Sequence, residues 1–324
     1  MRLFKTVFIL PIFFSCFQAF AQEPQENDAL SPQTAAYMLS EFENISARVN
    51  MILSSPSGDG ACSKCDNSLL ESAKDYETKG KLQEAAWIYA SLGMNAKANE
   101  LLARLEIIMR GEPVEIKPLG GGVSCTYIFK YKDGTKAVYK QNESDQYSYK
   151  NEVAAYTVDQ VLNLNMTPLT LAVDFDTKKL PLMHCYYKSA TKGKFTGSLA
   201  YFVTDSKTAY QGLNYNDQSK LKVTQLGILD SLVDNTDRHS GNWLVHKSGK
   251  IIAIDHNRTF DGSYFSLDAS LMLYRDSLVG QEQLKKVTAE EWTKALEPIV
   301  TKAQLKSFLD RRKQLMKVLS MDVK

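Results

Sequence analysis

The sequence lacks a surplus of charge of either sign. Its 324 residues include 39 Lys and Arg against 37 Asp and Glu, a formal net charge of +2. Two of the basic residues, Arg2 and Lys5, lie in an N-terminal segment that we expect to be removed, which leaves a neutral mature chain. Binding to a nucleic-acid backbone depends on an excess of Lys and Arg. The composition therefore gives no support for nucleic acid as a partner.

Cysteines and long apolar runs are also scarce. The chain has five cysteines, and Cys62 and Cys65 have no second ligand pair nearby, as a zinc site would need. Disulfides or free thiols are therefore the expected states of Cys62, Cys65, Cys125 and Cys185. A bilayer span needs about 20 consecutive apolar residues, and no segment after the N-terminus approaches that length. We therefore expect no transmembrane segment.

The N-terminus has the pattern of an export signal. Arg2 and Lys5 precede an apolar run from Val7 to Phe17, and Ala19-Phe20-Ala21 forms a small-x-small cleavage site. The run is too short for a membrane anchor. We expect residues 1–21 to be a signal peptide and residues 22–30 to be a disordered linker. The mature protein is then periplasmic or secreted.

Residues 31–110 show helical periodicity. Ser31–Ile52 has helix-compatible spacing with Pro32 in its first turn, and Asn67–Met109 resembles a tetratricopeptide-like helical hairpin. One such unit cannot bury its own apolar face. We therefore expect an α-helical extension that packs on the main domain. An independent array that binds a protein partner is the alternative.

From Val114 the periodicity becomes that of strands, interrupted by a glycine run. Glycines let backbone N–H groups approach phosphates closely, and Ser124 or Thr126 could add a hydroxyl donor. The following strand, Thr135–Gln141, carries Lys140 as a candidate to pair with phosphate and Lys136 as its competitor. The predicted phosphate loop consists of Gly120, Gly121, Gly122 and Ser124.

A helix is predicted from Tyr149 to Leu164, with Glu152 in its first turn. Taken alone, Glu152 is an acid favoured by the helix dipole, but a glycine loop and a lysine strand before it favour pairing with Lys140. Two further strands, Thr167–Val173 and Leu180–Tyr187, complete a small lobe over residues 111–187. Residues 188–324 form a larger helical lobe. Its last helix carries Arg311-Arg312-Lys313, which we expect to be a solvated face.

The most distinctive run extends from Asp234 to Trp243 and is followed by Asp255. The segments on either side of residues 247–250 are apolar and strand-like, which predicts a hairpin. If the turn centres between residues 248 and 249, Asn242 faces Asp255 at a Cβ separation of roughly 4.5–5.5 Å. Amide and carboxylate oxygens at that separation can share one Mg²⁺ ion.

Asp237 precedes Asn242 by five residues and lies in the loop before the hairpin. A carboxylate there can accept or orient a hydroxyl proton while a metal neutralises phosphate charge. His239 and His256 flank the same elements. We expect these two histidines to order loops, because Mg²⁺ prefers oxygen ligands.

These motifs resemble the atypical kinases, a group that includes phosphatidylinositol 3- and 4-kinases, HipA-like kinases and secretory-pathway kinases related to the Golgi casein kinase. The resemblance covers residues 114–320 and rests on Asn151–Tyr156 with Pro168, on Asp234–His239 with Asn242, and on Ile254–His256. It implies an α+β, bilobal protein-kinase-like fold, in which a small antiparallel β lobe and a larger helical lobe follow an α-helical extension.

The resemblance also implies a role for each candidate site residue. Asp237 would be the catalytic aspartate, and Asn242 and Asp255 would ligate Mg²⁺ or Mn²⁺. Met183 and Cys185 would border the adenine pocket. The remaining ATP-binding residues would be Gly120, Gly121, Gly122, Ser124, Lys140 and Glu152. The chain departs from ordinary protein kinases in lacking G-x-G-x-x-G and in having His256-Asn257 after Asp255, and both departures agree with the atypical group.

The leading hypothesis is an exported ATP- and Mg²⁺-dependent kinase that transfers the γ-phosphoryl group to a Ser or Thr hydroxyl of a protein. A phosphatidylinositol or small-polyol kinase is the main alternative, because the fold does not choose the acceptor. An inactive kinase fold that acts as a binding module is another. The last is a metal-dependent phosphohydrolase that uses Asp237, His239, Asp255 and His256.

Overall fold

Helices come first in the chain, an antiparallel sheet follows, and a second small sheet and further helices complete it. The structure is a computed structural model that describes residues 63–119, 125–141, 148–181, 193–209, 226–260 and 281–320, all within one compact unit. The element order confirms the α+β class. Several expected features lie outside the described residues: the signal peptide, the linker, the helix at 31–52, Gly120, Gly121, Gly122, Ser124, Met183 and Cys185.

The described part of the helical extension consists of α1 (Ser63–Thr78), α2 (Leu82–Ser91) and α3 (Asn95–Met109). Gly93, at a φ of 74°, makes the turn that separates α2 from α3, which the sequence pattern had run together. Trp87 and Leu101 of the extension share one buried cluster with Phe129 and Tyr139 of the sheet. The extension therefore packs on the main domain, as expected.

The main sheet has the strand order β1-β2-β3-β5-β4, and all of its pairings are antiparallel. In β3, Ala137 and Tyr139 are buried on alternate positions, which is the period of a regular strand. Helix α4 (Tyr149–Val161) follows β3 and begins at Ser148, whose Oγ accepts a hydrogen bond from the backbone N–H of Lys150. The strands are β1 (Glu115–Pro118), β2 (Thr126–Lys130), β3 (Lys136–Gln141), β4 (Thr170–Asp176) and β5 (Lys194–Tyr201).

Strand β5 differs from the sequence-based expectation. The pattern predicted a strand at Leu180–Tyr187, of which residues 182–187 lie outside the described residues, and a polar linker after it. Part of that expected linker, Lys194–Tyr201, is a strand that pairs with both β3 and β4. The sequence of β5 is a weak strand pattern in part because it contains Gly197. The residue at this position is glycine because a Cβ there would come within 2.6 Å of the Tyr139 ring. A glycine in a strand lowers its strand propensity but permits this close packing. The sheet therefore extends to Tyr201, past the lobe boundary predicted at residue 187.

The second sheet, ordered β6-β7-β8, lies in the helical part of the chain. A large cluster that includes Leu229, Trp292 and Phe308 forms the core of this part. No helix among the described residues is both long enough and apolar enough to cross a bilayer. The elements are β6 (Ser206–Thr208), α5 (described over residues 226–233), β7 (Trp243–His246), β8 (Ile251–Ala253), α6 (Gln281–Lys286), α7 (Ala289–Leu296) and α8 (Lys302–Ser320).

Arg311 and Arg312 on α8 are buried, so the expectation of a solvated face is wrong for both. Arg311 donates from Nε to the carbonyl of Leu232 at 2.9 Å, and Arg312 donates from Nη2 to the carbonyl of Leu284 at 2.9 Å. Only Lys313 of the three is exposed. The two arginines donate hydrogen bonds to backbone carbonyls of neighbouring segments. A run of three basic residues in the sequence does not reveal such partners.

Candidate active site

Strands β7 and β8 form the expected hairpin, with a register that differs by one residue from the prediction. Trp243 pairs with Ala253 and Val245 pairs with Ile251. The turn therefore has three residues, 247–249, in place of two. Gly249 occupies the left-handed position of this turn at a φ of 78°, which is the usual position of glycine in a three-residue hairpin loop.

The longer turn changes what faces Asn242. Its partner across the hairpin is Ile254, whose N–H donates to the Asn242 carbonyl at 3.1 Å. The expectation that Asn242 faces Asp255 directly is therefore wrong by one residue. Asp255 comes immediately after that pairing and adopts a left-handed backbone conformation with a φ of 59°. Asp tolerates this conformation better than most residues.

Asp255, Lys140 and Glu152 meet in one ionic cluster. Lys140 Nζ lies 2.5 Å from Glu152 Oε1 and 2.7 Å from Asp255 Oδ1. The side chain of Glu152 is buried, whereas that of Asp255 is 36 % exposed. Lys136, the competing lysine, lies on the same strand but is exposed, with its Nζ 5.9 Å from the centre of the Phe202 ring. The structure therefore places Lys140, and not Lys136, beside Glu152.

The charges in this cluster support one another. Burial opposes the charged form of Lys140, but the carboxylates of Asp255 and Glu152 outweigh burial and raise the lysine pKa above its ordinary value. Burial likewise opposes ionisation of Glu152, yet Lys140 and His256 hold the pKa of Glu152 well below its ordinary value. Lys140 and Glu152 are therefore both ionised at neutral pH. One cation stands between two carboxylates.

Helix α4 is also tied to the chain just after Asp255. Glu152 Oε2 accepts the backbone N–H of His256 at 3.0 Å. Asn151, its neighbour in the first turn of α4, donates from Nδ2 to the carbonyl of Asn257 at 2.9 Å. Strand β3, helix α4 and the segment after β8 therefore meet at one point. The segment after β8 is more than 100 residues along the chain from both Lys140 and Glu152.

The loop that carries Asp237 is organised by Arg238, for which no role was predicted. Arg238 donates from Nε and Nη2 to the two carboxylate oxygens of Asp230, at 2.9 and 3.0 Å. Its Nη1 donates to the carbonyls of Ile254, at 2.8 Å, and Asn242. One guanidinium therefore joins α5 to the residues that flank both strands at the open end of the hairpin. The adjacency of Arg238 to Asp237 was the only sequence signal for this role.

Asn242 and Asp237 are joined through this loop. Asn242 Nδ2 donates to the backbone carbonyl of Asp237 at 2.8 Å, an arrangement that presents Oδ1 of the amide as its acceptor atom. The Asp237 carboxylate is about one-third exposed, and its Oδ1 lies 3.4 Å from Arg258 Nη1. Arg258 was not predicted from the sequence, because nothing in the order of residues brings it to Asp237.

The two histidines have the local contacts expected of loop-ordering residues. His239 Nδ1 accepts the N–H of Gly241 at 3.0 Å. His256 is buried, with Nδ1 3.7 Å from Glu152 Oε2. Within the described segments, no group of three or more His, Cys, Asp or Glu side chains is arranged to hold a metal. The oxygen pair predicted for Mg²⁺ is different in kind, since it combines the Asn242 amide with the Asp255 carboxylate.

Comparison with known proteins gives a family match over part of the chain. Residues 135–269 match the family model described as phosphatidylinositol 3- and 4-kinase, and this range contains Lys140, Glu152, Asp237, Asn242 and Asp255. No curated protein matches the sequence.

Solved structures resemble the chain over a longer range. The Golgi casein kinase aligns with a TM-score of 0.54 and 18 % identity, over 68 % of this chain and 76 % of that chain. The same kinase with Mn/ADP bound aligns with a TM-score of 0.53 and 18 % identity over the same shares. Hydra Fam20 with sugar has a TM-score of 0.54 and 14 % identity, over 68 % of this chain and 89 % of that chain. At these identities the likeness concerns the fold, and it confirms the expected kinase-like architecture.

Proposed function

We propose that this chain, whose atypical kinase fold is shared with the phosphatidylinositol 3- and 4-kinases and the Golgi casein kinase, is an ATP- and divalent-metal-dependent kinase of protein Ser or Thr hydroxyls. The observation that carries the proposal is Lys140 Nζ, held within 2.7 Å of both Glu152 and Asp255. A lysine paired in this way is preorganised to contact nucleotide phosphates.

The donor set fits a hard divalent cation. The amide oxygen of Asn242 and the carboxylate of Asp255 are the oxygen ligands that Mg²⁺ and Mn²⁺ accept, and both residues lie at the end of one hairpin. When bound, the metal would neutralise charge on the phosphates. Asp237 would accept the proton of the acceptor hydroxyl at its carboxylate, and Arg238 holds its loop in place.

Two observations favour a protein acceptor in an exported setting. One of the proteins that share this fold is a casein kinase of the Golgi, a secretory compartment. Cys125 is disulfide-bonded, which agrees with the oxidising compartments that a signal peptide leads to. An exported effector that meets ATP in another cell or compartment would reconcile export with the scarcity of ATP outside cells. The protein is then periplasmic or secreted before it reaches its substrate.

A lipid or polyol kinase is the second candidate, and the family match to phosphatidylinositol 3- and 4-kinases favours it. A phosphohydrolase is less well supported. His239 and His256 are engaged in contacts with Gly241 and Glu152, and hydrolysis at a metal would not need the pairing of Lys140 with Glu152.

The test is phosphoryl transfer from radiolabelled ATP by the purified chain that starts at Gln22, with Mg²⁺ or Mn²⁺. Casein and phosphatidylinositol vesicles serve as separate acceptors. Asp237→Ala and Asp255→Ala are compared with wild type, and Asp310→Ala, at an exposed position on α8, is the matched control. We expect both site variants to fold and to lose transfer by roughly three orders of magnitude or more, because transfer depends on positioning and charge neutralisation.

Each outcome of this test has a distinct meaning. Equal labelling by wild type, Asp237→Ala and Asp255→Ala would refute the kinase assignment. Labelling of vesicles but not of casein would replace the protein acceptor with a lipid one. Metal-dependent release of phosphate without labelling of either acceptor would support the phosphohydrolase.

A further inference from the structure

The start of helix α2 is bonded to the main sheet. Gln83 Oε1 accepts the backbone N–H of Leu169, just before β4, at 2.7 Å. Glu84 Oε2 accepts the hydroxyl of Tyr201, the last residue of β5, at 2.9 Å. Gln83 and Glu84 are both buried, although such residues usually face solvent. Their position is therefore defined by what they bind on the sheet.

The same short segment reaches the far end of the hairpin that carries Asn242 and Asp255. Lys81 Nζ lies 2.6 Å from Asp205 Oδ2, and Lys247 Nζ, in the hairpin turn, lies 2.8 Å from the same oxygen. The backbone N–H of Lys247 also donates to the Asp205 carbonyl at 2.9 Å. These bonds hold the pKa of Asp205 down to about 2, so that its carboxylate remains charged between two lysines.

Aromatic contacts reinforce this second attachment. The ring of Tyr76, near the end of α1, lies 6.0 Å from the ring of His246 on β7. Lys250 Nζ, on the other side of the hairpin turn, lies 4.9 Å from the centre of the Trp87 ring on α2. Cation–π contacts at this distance are attractive. Residues 76–87 therefore touch both sides of the turn.

The chain joins the main sheet to the second sheet only through the short stretch between β5 and β6, residues 202–205. One short covalent connection permits two lobes to rotate about it, as in hinge motions of enzymes, and the contacts of Asn151 and Glu152 restrain that rotation only near the site. We infer that residues 76–87 form an interlobe brace, a non-covalent connection additional to the contacts of Lys140, Asn151 and Glu152 at the site, that positions the hairpin of Asn242 and Asp255 against the lobe of Lys140. Lys81, Gln83 and Glu84 are then positioning residues.

The consequence for catalysis rests on the proposed kinase function, whereas the brace itself does not. Asp255 belongs to the hairpin and Lys140 to the main sheet, so their 2.7 Å contact depends on how the two lobes are placed. A displacement of about 1 Å at a reacting centre can cost roughly 100-fold in rate. Loosening the brace should therefore slow transfer more than it weakens nucleotide binding, because Lys140 and Glu152 both remain in the small lobe.

The test compares Lys81→Met with Lys79→Met. Both lysines lie at the turn between α1 and α2, but the ion pair of Lys79 within the described residues is with exposed Asp75 of α1, at 2.6 Å. We expect Lys81→Met to lower the turnover of folded protein about tenfold or more, with ATP affinity changed less than about threefold. Lys79→Met should match wild type in both quantities. Lys81→Arg, which keeps the charge, should recover most of the turnover.

Hydrogen–deuterium exchange provides a readout that does not need activity. Lys81→Met should speed amide exchange in hairpin residues 243–253, and Lys79→Met should not. Wild-type exchange in Lys81→Met would overturn the brace even if the kinase assignment stands. A lowered melting temperature with unchanged turnover per folded molecule would also overturn it. If wild type transfers no phosphate, the proposed function fails while the exchange measurement still decides the brace.

Discussion

Two partly buried ionic clusters lie close to the same hairpin and differ in how their charges are matched. In the first, Lys140 stands between the carboxylates of Glu152 and Asp255. In the second, Arg238 meets the single carboxylate of Asp230 through two hydrogen bonds and donates to two backbone carbonyls. The first cluster has one more negative charge than positive, whereas the second is balanced.

This difference separates a reactive site from a structural one. Burying charges is costly, so burial alone does not show which cluster serves chemistry. Arg238 donates to both oxygens of Asp230 and to the carbonyls of Asn242 and Ile254, so its charge is matched by one carboxylate. The cluster of Lys140 has an excess carboxylate, and Asp255 within it is partly open to solvent, so it can take a further cation. Excess charge together with access is therefore the better indicator of function.

Replacement of Lys140 should have the largest effect on transfer. Lys140→Met removes the group that contacts phosphate and leaves Glu152 and Asp255 without the cation between them. We expect the rate with radiolabelled ATP to fall roughly 1,000-fold or more. Lys136→Met, on the same strand but with an exposed side chain, should stay within about twofold of wild type. Equal losses in the two variants would show that the pairing of Lys140 has no special role.

The two arginine sites should differ in what they disturb. Arg238→Lys and Arg311→Lys each replace a guanidinium that binds a backbone carbonyl, and we expect each to lower the free energy of unfolding by about 1–3 kcal/mol. Only Arg238→Lys should also slow transfer by the molecules that remain folded, because Arg238 binds the carbonyls of Asn242 and Ile254. Denaturant unfolding and rates per folded molecule measure the two effects. An equal loss of rate in Arg311→Lys would remove the distinction.

A smaller effect is expected from His246, a buried neutral group at the far end of the hairpin. Burial lowers the pKa of His246 to about 4, whereas in the unfolded chain it titrates near 6.5. The folded state therefore binds this proton less readily, and the stability contributed by neutral His246 is present above pH 6.5 and is lost as the pH falls towards 4. At pH 5.5 the loss should be about 1 kcal/mol relative to pH 7.5.

The control for this prediction is His246→Asn. Its Oδ1 can replace Nδ1 as the acceptor for the N–H of Ser248, a contact of 3.2 Å in the structure. In this variant the free energy of unfolding, measured with denaturant, should fall less than in wild type between pH 7.5 and 5.5. The difference should be about the predicted 1 kcal/mol. A wild-type pH dependence in His246→Asn would mean that other buried groups are responsible.

Several features of the site followed from local sequence patterns. Alternation in Lys136–Gln141 predicted the strand that carries Lys140, and helical periodicity from Tyr149 placed Glu152 in the first turn of a helix. Two apolar segments around a turn with glycine predicted the hairpin near Asn242 and Asp255. These patterns are visible because they depend on neighbours a few residues away. The roles of the site residues in transfer stay predictions until they are measured.

Other features depended on information that local patterns do not contain. The turn of the hairpin has three residues where two were expected. This one additional residue in the turn shifts the pairing, so that Asn242 faces Ile254. Strand β5 contains Gly197 because the Tyr139 ring packs there, so its pattern is weaker than that of the predicted strand at Leu180–Tyr187. Arg311 and Arg312 are buried by helices and loops that contact α8.

The sequence by itself determined the helical extension, the strand of Lys140, the helix of Glu152 and the hairpin near Asn242 and Asp255. Tertiary structure alone decided that Lys140 contacts Asp255, that Arg238 holds the loop of Asp237, and that residues 76–87 touch both lobes. The physical reason is that the periodicity of apolar residues shows which face of a helix or strand is apolar, and this depends only on residues close together in the sequence. Contacts between ions more than 100 residues apart depend on how those faces pack together.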